Sequence, residues 1–366
     1  MKQAYLAAAV FTGKEMMERH AVLTENNSVT GIVEARQIPP EYEVAEHVDC
    51  LIAPALIDLQ LYGGLGKLFS HSLDIASLEA TYTYCLSGGC THFMITMATN
   101  SIENFLKGIE VAGEYMASGK KGLLGIHLEG PYINPAKKGA HIEKFIRKPT
   151  RQEVEVFLEK GRGIFKMITL APEQCSDEVI QLLMDEGILV SAGHSNATYA
   201  EGMHAFDIGV PTATHLFNAM SPLQGRAPGM VGAIYAHSKV MSSVICDGVH
   251  VDFDAVRLSK KIMGDRLFFI TDAVTGISEG YYHHVFQGDR YTLPDGTLSG
   301  SCMTMMSTLK NAVEKAGISL IEALKMCSTY PASLLHDPSL GKIRIGASAD
   351  FILINRPSLT LKGLVH

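Results

Sequence analysis

No apolar run in the 366-residue chain approaches the roughly 18 residues a membrane-spanning helix needs, so no bilayer span is expected. No block of Lys and Arg stands out either, and the formal charge is −7. A general nucleic-acid surface, which depends on clustered positive charge, is therefore not expected. One or two cations inside a pocket can still hold a single phosphate. The cysteines (Cys50, Cys85, Cys90, Cys175, Cys246, Cys302, Cys327) are scattered, odd in number and without paired metal-site spacing. That pattern suits reduced thiols in a cytoplasm rather than a disulfide framework or a zinc ribbon. Internal repeats and low-complexity segments are missing too. Residues 1–11 carry a short apolar stretch after Lys2 without a convincing cleavage context. They are read as a β-strand ending in the turn Thr12-Gly13-Lys14, not as a signal peptide.

What is present is a hydrophobic content of 47%, enough to bury a sizeable core. The first fifty residues read as short strands (5–11, 20–23, 28–34) punctuated by Gly13, Asn26-Asn27 and Pro39-Pro40. Near the other end, 342–346 and 349–355 read as two further strands. Between them, largely apolar runs at 55–62, 91–97, 123–128, 165–170, 188–192, 212–216, 240–246 and 267–271 alternate with helical stretches such as 102–116, 177–185 and 198–206. Runs that are apolar throughout rather than alternating suggest parallel strands covered on both faces. Eight βα units predict an α/β fold, a (β/α)8 TIM-like barrel, over residues 53–342. Residues 1–52 and 343–366 are expected to form a small β-sandwich domain built from both chain termini. A doubly wound sheet is the alternative.

Polar residues cluster at the ends of these runs: Asp58 and Gln60, Glu129, His194, His215, Asp247 and His250, and Asp272. Strand C-termini of a parallel barrel open onto one face, where active sites are built. Two imidazoles and a carboxylate, His194, His215 and Glu129, make a standard three-ligand shell for a catalytic metal that keeps a position open for water. Such a metal lowers the pKa of its water and polarises a carbonyl. Asp272 is then placed to act as general base and acid. Histidines inside strands, such as His92 and His127, are read as ordinary core residues.

Together the motifs His127-Leu128-Glu129-Gly130-Pro131, Gly139-Ala140-His141, Gly193-His194-Ser195, His215 to Met220, Gly225 to Gly229, Asp247-Gly248-Val249-His250 and Thr271-Asp272-Ala273 resemble the N-acetylglucosamine-6-phosphate deacetylase family of the amidohydrolase superfamily. The resemblance implies hydrolysis of the acetamide of N-acetylglucosamine 6-phosphate to glucosamine 6-phosphate and acetate. It implies Glu129, His194 and His215 as metal ligands and Asp272 as the acid/base. It further implies His141, Asn218, Ala219, Arg226 and His250 as substrate-binding residues. Arg226 and His250 resemble a phosphate-binding pair supplied across a homodimer interface, although Asp252 offers His250 a surface partner instead. An amidohydrolase acting on another acylated amino sugar or a cyclic amide is an alternative. A non-catalytic phosphosugar-binding regulator is a third, less compatible with an intact ligand set.

One departure bears on the metal. Where most amidohydrolases carry His-x-His on the first strand, this chain reads Gln60-Leu61-Tyr62. Neutral tyrosine is a poor zinc ligand, so one divalent ion per subunit is expected. Zn2+ suits the donors best, with Fe2+, Mn2+ or Co2+ compatible.

Overall fold

The computed structural model describes residues 2–366. Eight strands form one sheet in barrel order: Leu56–Leu61, Cys90–Ala98, Leu123–Glu129, Phe165–Leu170, Leu189–Ala192, Thr212–Ala213, Met241–Val244 and Leu267–Phe269. From the second strand onward each pairs parallel with the next. The seam between first and eighth is closed just past the strand ends. There Asp272 N–H donates to Gln60 O, and Tyr62 N–H to Ala273 O, both at 2.9 Å. All eight expected strands are found. The sixth, seventh and eighth stop earlier than their apolar runs, at Ala213, Val244 and Phe269, and the chain enters left-handed backbone at His215 and Asp272 beyond the sixth and eighth.

Covering on both faces explains the unbroken apolar reading: every residue of Leu56–Leu61 is buried. The barrel interior nonetheless holds a polar chain. His127 Nε2 lies 2.7 Å from Thr169 Oγ1, which meets Thr214 Oγ1 at 2.7 Å, and Thr214 meets Ser191 Oγ at 2.6 Å. Burial pushes His127 down to about 4, so it stays neutral, a satisfied core residue as expected. The outer helices include Ile102–Ala117, Asp177–Asp185 and Tyr199–Asp207. Their N-termini are capped by Ser101, Ser176 and Thr198, each accepting from a backbone N–H of the first turn.

Strands from both termini make a seven-stranded mixed sheet. Its main order is Thr360–Val365, Phe351–Asn355, Glu43–Pro54, Lys2–Phe11, His20–Glu25, Ser28–Glu34, with Met16–Glu18 beside Lys2–Phe11. Only Lys2–Phe11 and Glu43–Pro54 pair parallel. Val10, Val22, Ile52 and Phe351 anchor its core. Residues 342–346, expected as a strand, are not one. Ile343 and Gly346 donate single backbone bonds to Thr12 O and Val29 O, which tie the segment down without a ladder. Contacts divide the chain into two compact units. One holds the described residues up to Ile57 with Cys85–His92 and Thr304–His366, the other Asp58–Tyr84 and Phe93–Met303. The site residues described below belong to the second.

Candidate metal centre and active site

Glu129 ends the third strand, His194 follows the fifth, His215 the sixth and Asp272 the eighth; all are buried. Positive φ recurs at this level: His194 +47°, His215 +38°, Phe217 +77°, Ala219 +49°, Asp272 +55°. Each such residue costs about 1–3 kcal/mol and persists only where its surroundings fix it. Here Asn134 N–H donates to His194 O, Ser195 N–H to Ala219 O and Leu216 N–H to Ser243 O. Glu173 pins the His194 loop, accepting from Ser195 Oγ, Asn196 N and Asn134 Nδ2 at 2.7–2.9 Å. Gly130, at φ +87°, has no substitute, since a Cβ there would run into Thr99 Oγ1.

The donors converge tightly. Glu129 Oε1 lies 3.2 Å from His194 Nε2 and 3.0 Å from His215 Nε2, and the two imidazole nitrogens are 3.2 Å apart. His194 Nδ1–H donates to Lys137 O at 2.8 Å, leaving the Nε2 lone pair aimed at the cluster. His215 Nδ1 is buried without a partner. Two imidazole nitrogens facing each other and a carboxylate is a donor set that a divalent cation fits.

Glu129, His141 and His194 also offer ligand atoms within 4.8 Å of one another. The tautomer separates His141 from the other two histidines. Its Nδ1 accepts from Thr99 N–H at 3.3 Å, so Nε2 carries the proton and donates to Glu129 Oε2 at 2.9 Å. Burial holds His141 neutral, down to about 4. Burial alone would raise Glu129, but His141 and His194 outweigh it and keep its carboxyl well below the usual range. Asp272 is pushed up, by burial first and then by the Glu129 charge. These two acidic groups are thus driven apart, the condition for one to stay an anionic ligand while the other carries protons.

Gln60 and Tyr62 join the carboxylates. Gln60 Nε2 donates to Glu129 Oε1 at 3.0 Å and Asp272 Oδ1 at 2.8 Å; Tyr62 Oη donates to Glu129 Oε2 at 2.6 Å. Tyr62 and both carboxylates face a cavity of about 380 Å³, which Asn218, Ala219 and His250 also line. Its far wall comes from Tyr282, His284 and the 298–300 segment. The sequence reading passed over Tyr282 and His284, which lie in no recognisable motif.

Arg226 does not line this cavity; it is exposed on the 221–228 loop. His250, expected to reach a neighbouring pocket, faces the cavity of its own chain instead. Its partner is not Asp252, which caps the helix Phe253–Met263. Nδ1–H donates to Asp247 Oδ2 and Nε2–H to Ser299 O, both at 2.6 Å, so neither nitrogen is free for a phosphate. Burial pulls His250 down, yet Asp247 outweighs it and holds the imidazolium above its ordinary range. A histidine raised on folding stabilises fully below its unfolded pKa of about 6.5 and loses that contribution as pH rises through the folded value. The melting temperature of His250→Gln should therefore lie furthest below the parent at about pH 6 and approach it toward about pH 9. A constant gap across that range would refute a charged pair.

A barrel with a histidine–carboxylate metal centre at the strand C-termini is the architecture of a metal-dependent hydrolase, and the amidohydrolase family profile matches residues 51–363. The N-acetylglucosamine-6-phosphate deacetylase of Haemophilus influenzae is 34% identical, covering 100% of this chain and 98% of that one. The solved deacetylase of Pasteurella multocida superposes with TM-score 0.95 at 32% identity, covering 100% of this chain and 98% of that one. A variant of the Mycobacterium smegmatis deacetylase in complex with N-acetyl-D-glucosamine-6-phosphate gives 0.92 at 28% identity, covering 99% and 97%. The chain belongs to the N-acetylglucosamine-6-phosphate deacetylase family, a branch of the amidohydrolases. Among the described residues no helix is long and apolar enough to cross a membrane.

Proposed function

We propose that this chain hydrolyses the acetamide of N-acetylglucosamine 6-phosphate to glucosamine 6-phosphate and acetate. The observation that carries the reading is the convergence of Glu129, His194 and His215 beside an Asp272 whose carboxyl is pushed up. In this reading the three hold one divalent ion, Zn2+ by preference, which when bound lowers the pKa of water and polarises the acetyl carbonyl. Asp272 takes the proton of the attacking water and passes it to the departing nitrogen, so a C–O bond forms as the C–N bond breaks. His141, on the cavity wall, contacts the sugar and helps to orient the acetamide. Asn218 and the Ala219 main chain hold the sugar, and the His250 imidazolium adds positive charge to the cavity. Arg226 is assigned to the phosphate bound by the neighbouring subunit of a homodimer.

Acetate release from N-acetylglucosamine 6-phosphate, with and without a chelator, tests the reaction. Tight binding of the sugar phosphate with no acetate formed would turn the reading into that of a sensor. The phosphate contact has its own signature. Arg226→Ala should raise KM for the phosphorylated sugar by about tenfold, the weight of one charge-assisted hydrogen bond, and leave unphosphorylated N-acetylglucosamine unaffected. Equal kcat/KM for the two sugars in the parent protein would remove the phosphate from the substrate.

A further inference from the structure

His284 lines the same cavity as Glu129, His194 and His215 and is only 7% exposed, yet half of its hydrogen bonding is unspent. Nδ1 meets Ser299 Oγ at 2.8 Å, and no group among the described residues reaches Nε2. A polar atom this enclosed calls for a partner from outside the chain. The ring has little freedom to find one elsewhere. It stacks on Tyr282 at 6.2 Å and 13°, and meets Tyr291 edge-on at 6.5 Å and 78°. Its supports are themselves tied. Tyr282 Oη donates to Thr99 O at 2.6 Å, and the ring packs with Tyr62, Leu68, Ala98 and Val274. Ser299 N–H donates to Tyr291 O at 3.0 Å, and Ser299 O accepts from His250 Nε2–H at 2.6 Å. The imidazole is thus set in one plane before any ligand arrives, which lowers the cost of binding.

The chemistry of the free nitrogen narrows its partner. Burial holds His284 neutral, down to about 4, so it brings no countercharge for a phosphate. Ser299 Oγ can donate to Nδ1 or accept from it, which makes Nε2 a donor in the first case and an acceptor in the second. A hydroxyl does both through one atom and so matches either tautomer. In N-acetylglucosamine 6-phosphate, C2 carries the acetamide and C6 the phosphate. The C1 hydroxyl interconverts between anomers, which leaves those at C3 and C4 with a fixed direction. We propose that His284 is a specificity-determining residue that hydrogen-bonds the C3 or C4 hydroxyl of the sugar through Nε2. The inference deepens the deacetylase reading and rests on it for the sugar.

The test is a cycle between residue and substrate, read as kcat/KM for acetate release. The parent, His284→Phe and His284→Asn are each given N-acetylglucosamine 6-phosphate and its 3-deoxy and 4-deoxy analogues. Phenylalanine keeps an aromatic ring against Tyr282, asparagine keeps an amide toward Ser299, and both remove Nε2. One of the two analogues should cost the parent about tenfold, and both variants should lose about tenfold on the full substrate. The same analogue should then cost the variants little, because the hydroxyl has already lost its partner. A wall merely disturbed by substitution would slow every substrate alike and leave the deoxy penalty intact. That result, or a parent indifferent to both missing hydroxyls, would overturn the contact. If the parent binds the sugar phosphate but releases no acetate, the proposed function fails, while the same cycle in Kd by calorimetry still decides the role of His284. Absence of binding would end both.

Discussion

Asp272→Asn is expected to lower acetate release by about 10²–10⁴-fold, the usual weight of a positioned general acid–base, while metal content and fold stay intact. Asparagine keeps the shape and still offers Oδ1 to the Gln60 amide, so that hydrogen bond survives. What it cannot do is accept a proton from water and release it to nitrogen. The stability change carries the more specific information. Part of what pushes the Asp272 carboxyl up is the Glu129 charge, so replacing it with a neutral amide relieves a repulsion. The variant should melt at or above the parent temperature. A dead but equally or more stable protein separates a chemical role from a structural one. Near-normal turnover with metal retained would end the assignment of Asp272.

His194→Ala should act through the other half of the site. It removes one imidazole whose Nε2 lies 3.2 Å from both Glu129 Oε1 and His215 Nε2, and leaves a buried carboxylate with one less partner. Loss of the polarising ion forfeits several kcal/mol of transition-state stabilisation, so activity should fall by about 10³-fold or more. Binding linkage gives a readout independent of turnover. A ligand at about 100 times its Kd stabilises the native state by about 2.7 kcal/mol, so chelator-stripped parent protein should melt measurably higher once Zn2+ is restored. In His194→Ala that metal-dependent shift should shrink toward zero. An unchanged shift would move the ion away from this triad.

How much of this was legible in the sequence depended on the range of the interactions involved. The eight barrel strands were readable because burial on both faces writes itself into consecutive residues, as in Leu56–Leu61. Residues 342–346 misled because alternating apolar residues also mark a segment pinned by isolated backbone bonds, and the sequence does not say whether a ladder partner exists. The polar residues at the strand ends were legible, and Glu129, His194 and His215 do converge. Partners were not. Tyr62 meets Glu129 across 67 residues of chain and Gln60 meets Asp272 across 212, so the pair could be judged only as ligands, not as donors. The same holds for His250, where Asp252 is nearer in sequence than Asp247 and only the fold selects between them. Tyr282 and His284 reach the cavity from a long segment after the eighth strand with no periodicity to flag them.

The seam that closes the barrel joins Gln60 and Tyr62 to Asp272 and Ala273 through two backbone bonds. Glu129, His194 and His215 all precede the eighth strand in the chain, whereas Asp272 follows it, so in the proposed reading the proton carrier takes its place beside the other three only when the barrel closes.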